Sequence, residues 1–331
     1  MKKVNTLLLD RKSITGLVSM KAAVLAVEDV FKQQGLGKTQ MPSKIYLHLD
    51  KYAGDFRAMP AYAEKLSKCV LKWVNVHPNN RKFGLPTVMA VIILSDPKNG
   101  FPLCIMDGTF VTNLRTGAAG AVAAKYLAQK DSKIVGMVGC GEQAKTQLEG
   151  LLLNFKIKEI KLWSKDNSCT KSFTGKMKFG KEKITVCKSI EDCVKESDIV
   201  VTTTPSRKSI VKYGWLKQGC HINAIGADSR GKEELEPLIL KKAKVVVDSF
   251  AQASHSGEIN VPFSKGLIAR SDIYAELGSI ICGKKKGRTN KNEITVFDST
   301  GLAIQDLAVT NLIYTLALAK NIGKKINLLG L

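Results

Sequence analysis

Arginine and carboxylates are both in short supply in this chain. Only 8 of the 51 basic residues are Arg, and 29 Asp and Glu leave a net charge of +22. Such a charge invites anionic partners, but bidentate reading of bases and phosphates relies on Arg. The lysines are scattered, and the densest cluster, Lys284 to Lys286 with Arg288, has no aromatic residues alternating with it as a single-strand platform needs. No nucleic-acid role is expected; the positive field suits small anionic substrates and cofactors. No apolar run reaches the roughly 18–20 residues of a membrane span, and the N-terminus lacks a signal peptide's apolar core and cleavage site. No membrane association is expected. The eight cysteines form no C-x-x-C pair and no Cys/His cluster at zinc spacing. No metal is expected, and the thiols are read as reduced and buried in a cytoplasmic protein. Repeats and low-complexity tracts are absent too.

The most informative stretch is 133–144. Ile134, Val135, Met137 and Val138 form a short apolar run suited to one buried strand. Gly139, Gly141 and Ala144 follow at G-x-G-x-x-A spacing, and 147–155 carries apolar residues at helical spacing. The first glycine permits a tight turn, the second lets backbone approach a pyrophosphate, and the alanine lets helix pack on strand. The helix N-terminus would then point free N–H groups at negative charge. An unliganded strand-to-helix turn is the alternative, and the flanks decide. After the turn, strands at 159–163, 184–187, 198–203, 221–225, 245–247 and 294–297 alternate with helices, as in a parallel sheet covered on both faces. The fold class expected is α/β: a Rossmann-type doubly wound parallel sheet plus a smaller α+β domain.

Before the turn, 13–35 reads as a helix stopped by Gly35, and 44–50, 70–76, 88–94 and 102–106 read as strands. An Ala-rich helix covers 114–129, and 301–320 reads as a long amphipathic helix returning to the first domain. The expected domains are 1–120, completed by 305–331, for substrate binding and dimerisation, and 121–304 for the dinucleotide.

Several single residues stand out. The second strand of a Rossmann sheet normally ends in an acid that binds the NAD ribose. Here it ends in Ser164 and Lys165, with Asp166 two residues late, so NAD and NADP both remain open. Lys72 lies in an apolar strand, where a charge is costly without a partner. Spacing alone favours a lysine that snorkels to water; the other reading is an active-site amine with a pKa lowered by burial. Arg57 and Arg115 lie near the expected domain junctions and suit a carboxylate or pyrophosphate. Asp228 follows the apolar strand 221–225, at the strand end where ligands bind such sheets, though a turn-capping Asp reads equally well.

At these residues a family resemblance emerges. KWVNVHP at 72–78, GLPTVMA at 84–90, LRTGA at 114–118, GCGEQA at 139–144, IGAD at 225–228 and FDSTG at 297–301 occur together and in order. The set resembles the ornithine cyclodeaminase and mu-crystallin family over nearly the whole chain, with the archaeal-type alanine dehydrogenases nearest. The resemblance implies a homodimer and hydride transfer between the α-carbon of a small amino acid and a nicotinamide, NAD or NADP. It makes Lys72 the catalytic lysine and Asp228 the catalytic carboxylate, which together can activate water and move protons. Lys44 and Arg57 would clamp the substrate carboxylate, with Arg115 near the carboxylate or the cofactor. Gln143, Thr204 and Ser299 match cofactor-lining positions, Lys232 less closely. The cofactor set is completed by Gly139, Gly141, Glu142, Ser164, Lys165, Gly226 and Ala227.

Cyclodeaminases of the family carry a Glu in the segment that here holds Arg57, so oxidative deamination, L-alanine to pyruvate and ammonia, ranks above cyclodeamination. The alternatives are a ketimine or cyclic-imine reductase, an ornithine cyclodeaminase, and a mu-crystallin-like binding protein without turnover. Presence of both Lys72 and Asp228 argues for the enzyme.

Overall fold

The computed structural model describes residues 5–176 and 182–330. In chain order its main strands are β1 (Thr6–Leu9), β2 (Thr39–Gln40), β3 (Ile45–Leu49), β4 (Gly54–Ala63), β5 (Lys68–Val76), β6 (Val88–Ser95), β7 (Pro102–Asp107), β8 (Ile134–Val138), β9 (Glu159–Trp163), β10 (Lys183–Val186), β11 (Ile199–Thr202), β12 (Arg207–Val211), β13 (His221–Ala224), β14 (Glu233–Leu235), β15 (Lys244–Val247), β16 (Ile273–Glu276), β17 (Thr295–Asp298) and β18 (Lys324–Ile326). Two compact units divide the chain: Met1–Arg115 with Leu302–Leu331, and Thr116–Gly301.

The first unit is a mixed sheet in the order β18-β1-β7-β6-β5-β4-β2, with β3 also paired to β4. Its strands alternate: Val70, Lys72 and Val74 are buried, while Leu71 and Trp73 are exposed. The helix Ala303–Ala319 packs on the buried face beside β4, β5 and β6. Residues 303–310 are buried on every side, so this helix is not the amphipathic one expected from its sequence. The expected helix over 13–35 is in fact two: α1 (Arg11–Ile14) and α2 (Met20–Gly35). Gly16 at φ +80° breaks it, and Ser19 restarts it by accepting from Ala22 N at 3.3 Å. The segment 55–60 lies in strand β4. The Ala-rich helix α3 (Gly108–Leu127) begins six residues before the expected start, because Asp107 accepts from Thr109 N and Phe110 N.

The second unit is an all-parallel sheet in the order β10-β9-β8-β11-β13-β17-β15-β16. Its first five strands follow the doubly wound order of a Rossmann fold, with the switch point between β8 and β11, and β17, the last strand of this sheet in chain order, then lies beside β13 ahead of β15 and β16. Apolar clusters pack around its strands, one centred on Val200, Ile222 and Val296, the other on Met137, Leu148 and Ile160. Helix α4 (Glu142–Asn154) meets α3 so closely that a Cβ on Gly117 would collide with the Thr146 carbonyl oxygen. Short β1, β2, β12, β14, β16 and β18 were not anticipated; strands of two to five residues carry too little periodicity to announce themselves. Among the described residues no helix is long and apolar enough to cross a membrane.

The cysteines also differ from expectation. Cys140 and Cys169 are joined as a disulfide with their Cα atoms 6.0 Å apart, and the other six are free. Twenty-eight residues separate the pair along the chain, and only the tertiary path of β9 brings them together.

Candidate active site

In the first unit the site is organised by Lys72. Alternation along β5 turns it inward, and the register sets it between Met59 of β4 and Ile92 of β6. It is 1% exposed, so the snorkelling that spacing favoured does not occur. Its Nζ donates to Asp306 Oδ2 at 2.6 Å. Arg115 Nε donates to the other oxygen of the same carboxylate at 3.1 Å, and its Nη1 to Gln305 Oε1 at 2.9 Å. Asp306 is completely buried. One carboxylate thus serves two cations, and burial with Arg115 and Lys44 nearby outweighs its help. The Lys72 amine is pushed down to about 7, chiefly by desolvation. Such an amine both takes and gives a proton near neutrality.

Arg57, on the same inward face of β4, donates through Nε to Asp55 Oδ1 at 2.7 Å and through Nη2 to Oδ2 at 3.2 Å. Its guanidinium lies 5.2 Å from the ring centroid of Tyr46, within the range of a cation–π contact. Lys44 directly precedes β3 and contributes charge at Lys72. Lys44, Arg57, Lys72 and Arg115 are therefore assembled in one unit around two aspartates, Asp55 and Asp306. Asp306 and Gln305 were missed as site residues; the signal was a carboxylate inside the apolar run of the last helix.

The second unit presents the glycine turn. Gly139, at φ +109°, takes a conformation that a side chain would strain, and its N–H donates to Trp163 O at 2.8 Å. Gly141 is the N-cap of α4, and a Cβ there would meet nothing within 4 Å, so its face is open. The N-terminus of α4, at Glu142, follows this turn directly, and a helix N-terminus favours negative charge. Glu142 is exposed and paired with Lys145 at 2.5 Å. Ser164, just past β9, accepts from Asp166 N at 3.2 Å, and Lys165 is exposed. Asp166 caps the helix α5 (Asn167–Lys176), accepting from Ser168 N at 2.9 Å and Cys169 N at 3.2 Å.

At the far side of the switch point, the buried Glu234 organises the loops. Its carboxylate accepts from Thr202 Oγ1 at 2.7 Å, Thr204 N at 2.6 Å, Thr204 Oγ1 at 2.7 Å and Gly226 N at 2.9 Å. Burial raises its pKa against these bonds. Ala227 is buried beside it, and Asp228 pairs with Lys232 Nζ at 2.5 Å. Ser299 is 3% exposed, yet its Oγ has no hydrogen-bond partner among the described residues. A buried hydroxyl costs free energy unless something bonds it, which fits a ligand amide at that position. An open Cβ-less turn, a helix N-terminus and this orphan hydroxyl together fit a dinucleotide ending in a carboxamide.

A model of the ornithine cyclodeaminase/mu-crystallin family matches residues 4–321. The chain is 51% identical over 325 residues to the alanine dehydrogenase of Archaeoglobus fulgidus, covering 98% of each. Among solved structures, an archaeal alanine dehydrogenase dimer with bound NAD superposes with a TM-score of 0.94 at 51% identity, covering 98% of this chain and 99% of that one. The Thermococcus litoralis Δ1-pyrroline-2-carboxylate reductase, in complex with NADH and L-proline, also reaches 0.94, at 40% identity, covering 97% and 100%.

Proposed function

The chain belongs to the ornithine cyclodeaminase/mu-crystallin family, and on that premise we propose that it is an NAD-dependent amino-acid dehydrogenase interconverting L-alanine with pyruvate and ammonia. The observation that carries the reading is Lys72, an amine at about 7 buried among groups that suit a small carboxylate.

The roles follow from the chemistry of each residue. Lys44, Arg57 and Arg115 bind the substrate carboxylate, with Asp55 and Asp306 fixing the two guanidinium groups. Gly139, Gly141, Glu142 and Gln143 hold the pyrophosphate, Ser164 and Lys165 the adenosine ribose, and Thr204, Gly226, Ala227 and Ser299 the nicotinamide end. The bound nicotinamide supplies hydride acceptance and donation. Lys72, as neutral amine, accepts a proton when water attacks the imine carbon; as ammonium it returns one in reductive amination. Asp228, held by Lys232, moves the second proton as ammonia departs.

A face of the first unit's sheet supports a homodimer. Trp73 pairs with Ala58 and Val91, and Ala58 with Ile45, which places Ile45, Trp73 and Val91 together on the exposed side with Leu47 and Leu71. An apolar sheet face of this kind marks a protein–protein surface, and we assign it to a second copy.

One plate tests the activity: protein, ammonium and NADH or NADPH with pyruvate, read as loss of absorbance, beside wells with a cyclic imine and with ornithine plus NAD. Turnover with pyruvate supports alanine dehydrogenase. The 40% identity to a Δ1-pyrroline-2-carboxylate reductase favours one second reading, and turnover of the cyclic imine alone would move the chain to that class.

A further inference from the structure

We propose that Cys140 and Cys169 are a reversible dithiol–disulfide couple whose bridge tightens dinucleotide binding by tethering the glycine turn to the helix beside the ribose-selecting loop. The proposal rests on the cofactor assignment above.

Position is the first argument. Cys140 is the residue between Gly139 and Gly141, so its backbone is part of the turn that would face the pyrophosphate. Cys169 is the third residue of α5, and the Asp166 cap of that helix follows directly from Ser164 and Lys165. A link between them fixes both binding segments to each other. A 6.0 Å Cα separation lies within the usual range for a disulfide, so oxidation demands no backbone movement. Cys169 Sγ also lies 2.9 Å from the Cys140 carbonyl oxygen, an acceptor to which the thiol can donate a hydrogen bond once the bridge opens.

Access is the second argument. Cys140 is 4% exposed and packs in the core beneath the turn, whereas Cys169 is only half-buried. Thiol–disulfide exchange therefore has an order. The Cys169 thiolate attacks a low-molecular-weight disulfide, forming a mixed disulfide and releasing one thiol. The Cys140 thiolate then attacks the Cys169 sulfur and expels the second thiol. Two cysteine thiols are oxidised and one small disulfide is reduced to two thiols, and a small dithiol reverses the reaction.

The bridge lies under the turn, so it does not fill the open face above Gly141. Its effect is preorganisation: the turn loses freedom before the dinucleotide arrives and less is lost on binding. Linkage then requires the reciprocal effect, with bound dinucleotide protecting the bridge from reduction by the same factor.

The test uses the full-length protein treated with oxidised glutathione or with dithiothreitol and desalted. Thiol titration should count six free thiols in the oxidised form and eight in the reduced, and peptide mass mapping should show Cys140 linked to Cys169. NADH binding, followed by fluorescence, should weaken about fivefold on reduction, the scale of an ordinary coupling between sites. Cys169→Ser should match the reduced protein under both treatments, and reduced wild type with alkylated thiols replaces it if that variant misfolds. Added NADH should raise the dithiothreitol concentration needed to open the bridge. Absence of a Cys140–Cys169 peptide, or equal NADH affinity in the two forms, would overturn the proposal alone. A protein that forms the bridge but binds neither NADH nor NADPH in either state would remove the cofactor assignment and this proposal with it.

Discussion

Asp306→Asn replaces one carboxylate oxygen with an amide NH2 and probes the electrostatics of the whole site. The native carboxylate accepts from Lys72 Nζ at 2.6 Å and from Arg115 Nε at 3.1 Å, with all three groups buried. Asparagine keeps the shape but removes the charge, so two buried cations lose their shared counter-ion. Breaking a buried pair in this way costs about 3–5 kcal/mol, because the Arg115 guanidinium cannot shed its proton and stays desolvated without a counter-ion, even where Lys72 turns neutral. At one to two degrees per kcal/mol for a chain of this size, the melting midpoint should fall by roughly 5 °C. The same change has a titration signature. Attraction and hydrogen bonding from Asp306 are what hold the Lys72 pKa up against burial, and even with them it is about 7 rather than 10.5. Without them the amine loses its proton at lower pH. For wild type, kcat/KM for alanine oxidation should rise with pH on a limb near 7, and in the variant that limb should move toward acid. Differential scanning calorimetry and a pH series over 5–10 read the two effects separately. A variant that melts within about 2 °C of wild type, with its limb unmoved, would refute the idea that Asp306 sets the state of Lys72.

Three further perturbations follow from the same physics. Lys72→Ala should cut turnover by about 10²–10⁴-fold, the range expected for a lost general acid–base, with NADH affinity unchanged by fluorescence titration; equal losses in both would make Lys72 a scaffold residue. His221 is fully buried between Thr295 Oγ1 at 2.9 Å and Asn223 Oδ1 at 3.0 Å, and burial pushes its pKa down to about 3 from 6.5. Between those values the unfolded chain binds the proton and the folded one does not, so stability is complete above about pH 6.5 and falls toward pH 3. The full span is worth roughly 5 kcal/mol, and His221→Gln should flatten the loss of urea midpoint between pH 7 and pH 4.5. Gly117→Ala drives a Cβ into the backbone carbonyl of Thr146, which has no side-chain freedom to yield. It should cost about 1–3 kcal/mol, as overpacking does, and an unchanged urea midpoint would show that α3 and α4 separate easily.

The line between sequence and tertiary structure runs through particular residues. The glycine turn after β8 was legible because G-x-G-x-x-A is a local solution to a local problem: a tight turn, a bare backbone and a small packing residue occur within six positions. That 70–76 forms a strand was legible for the same reason, since a short apolar run needs only neighbours in sequence, whereas which face Lys72 takes was not. The parallel order of the second sheet followed from strands alternating with helices. What the chain could not disclose locally was the environment of a side chain. Spacing alone made Lys72 a snorkelling lysine; its fate was decided by the helix Ala303–Ala319, which brings Asp306 from 234 residues away and closes the route to water. The buried Glu234 and the Cys140–Cys169 link are of the same kind, for each depends on loops meeting from separate strands. Turn chemistry and periodicity are written in adjacent residues, whereas desolvation, counter-ions and thiol pairing exist only once distant segments have been packed together.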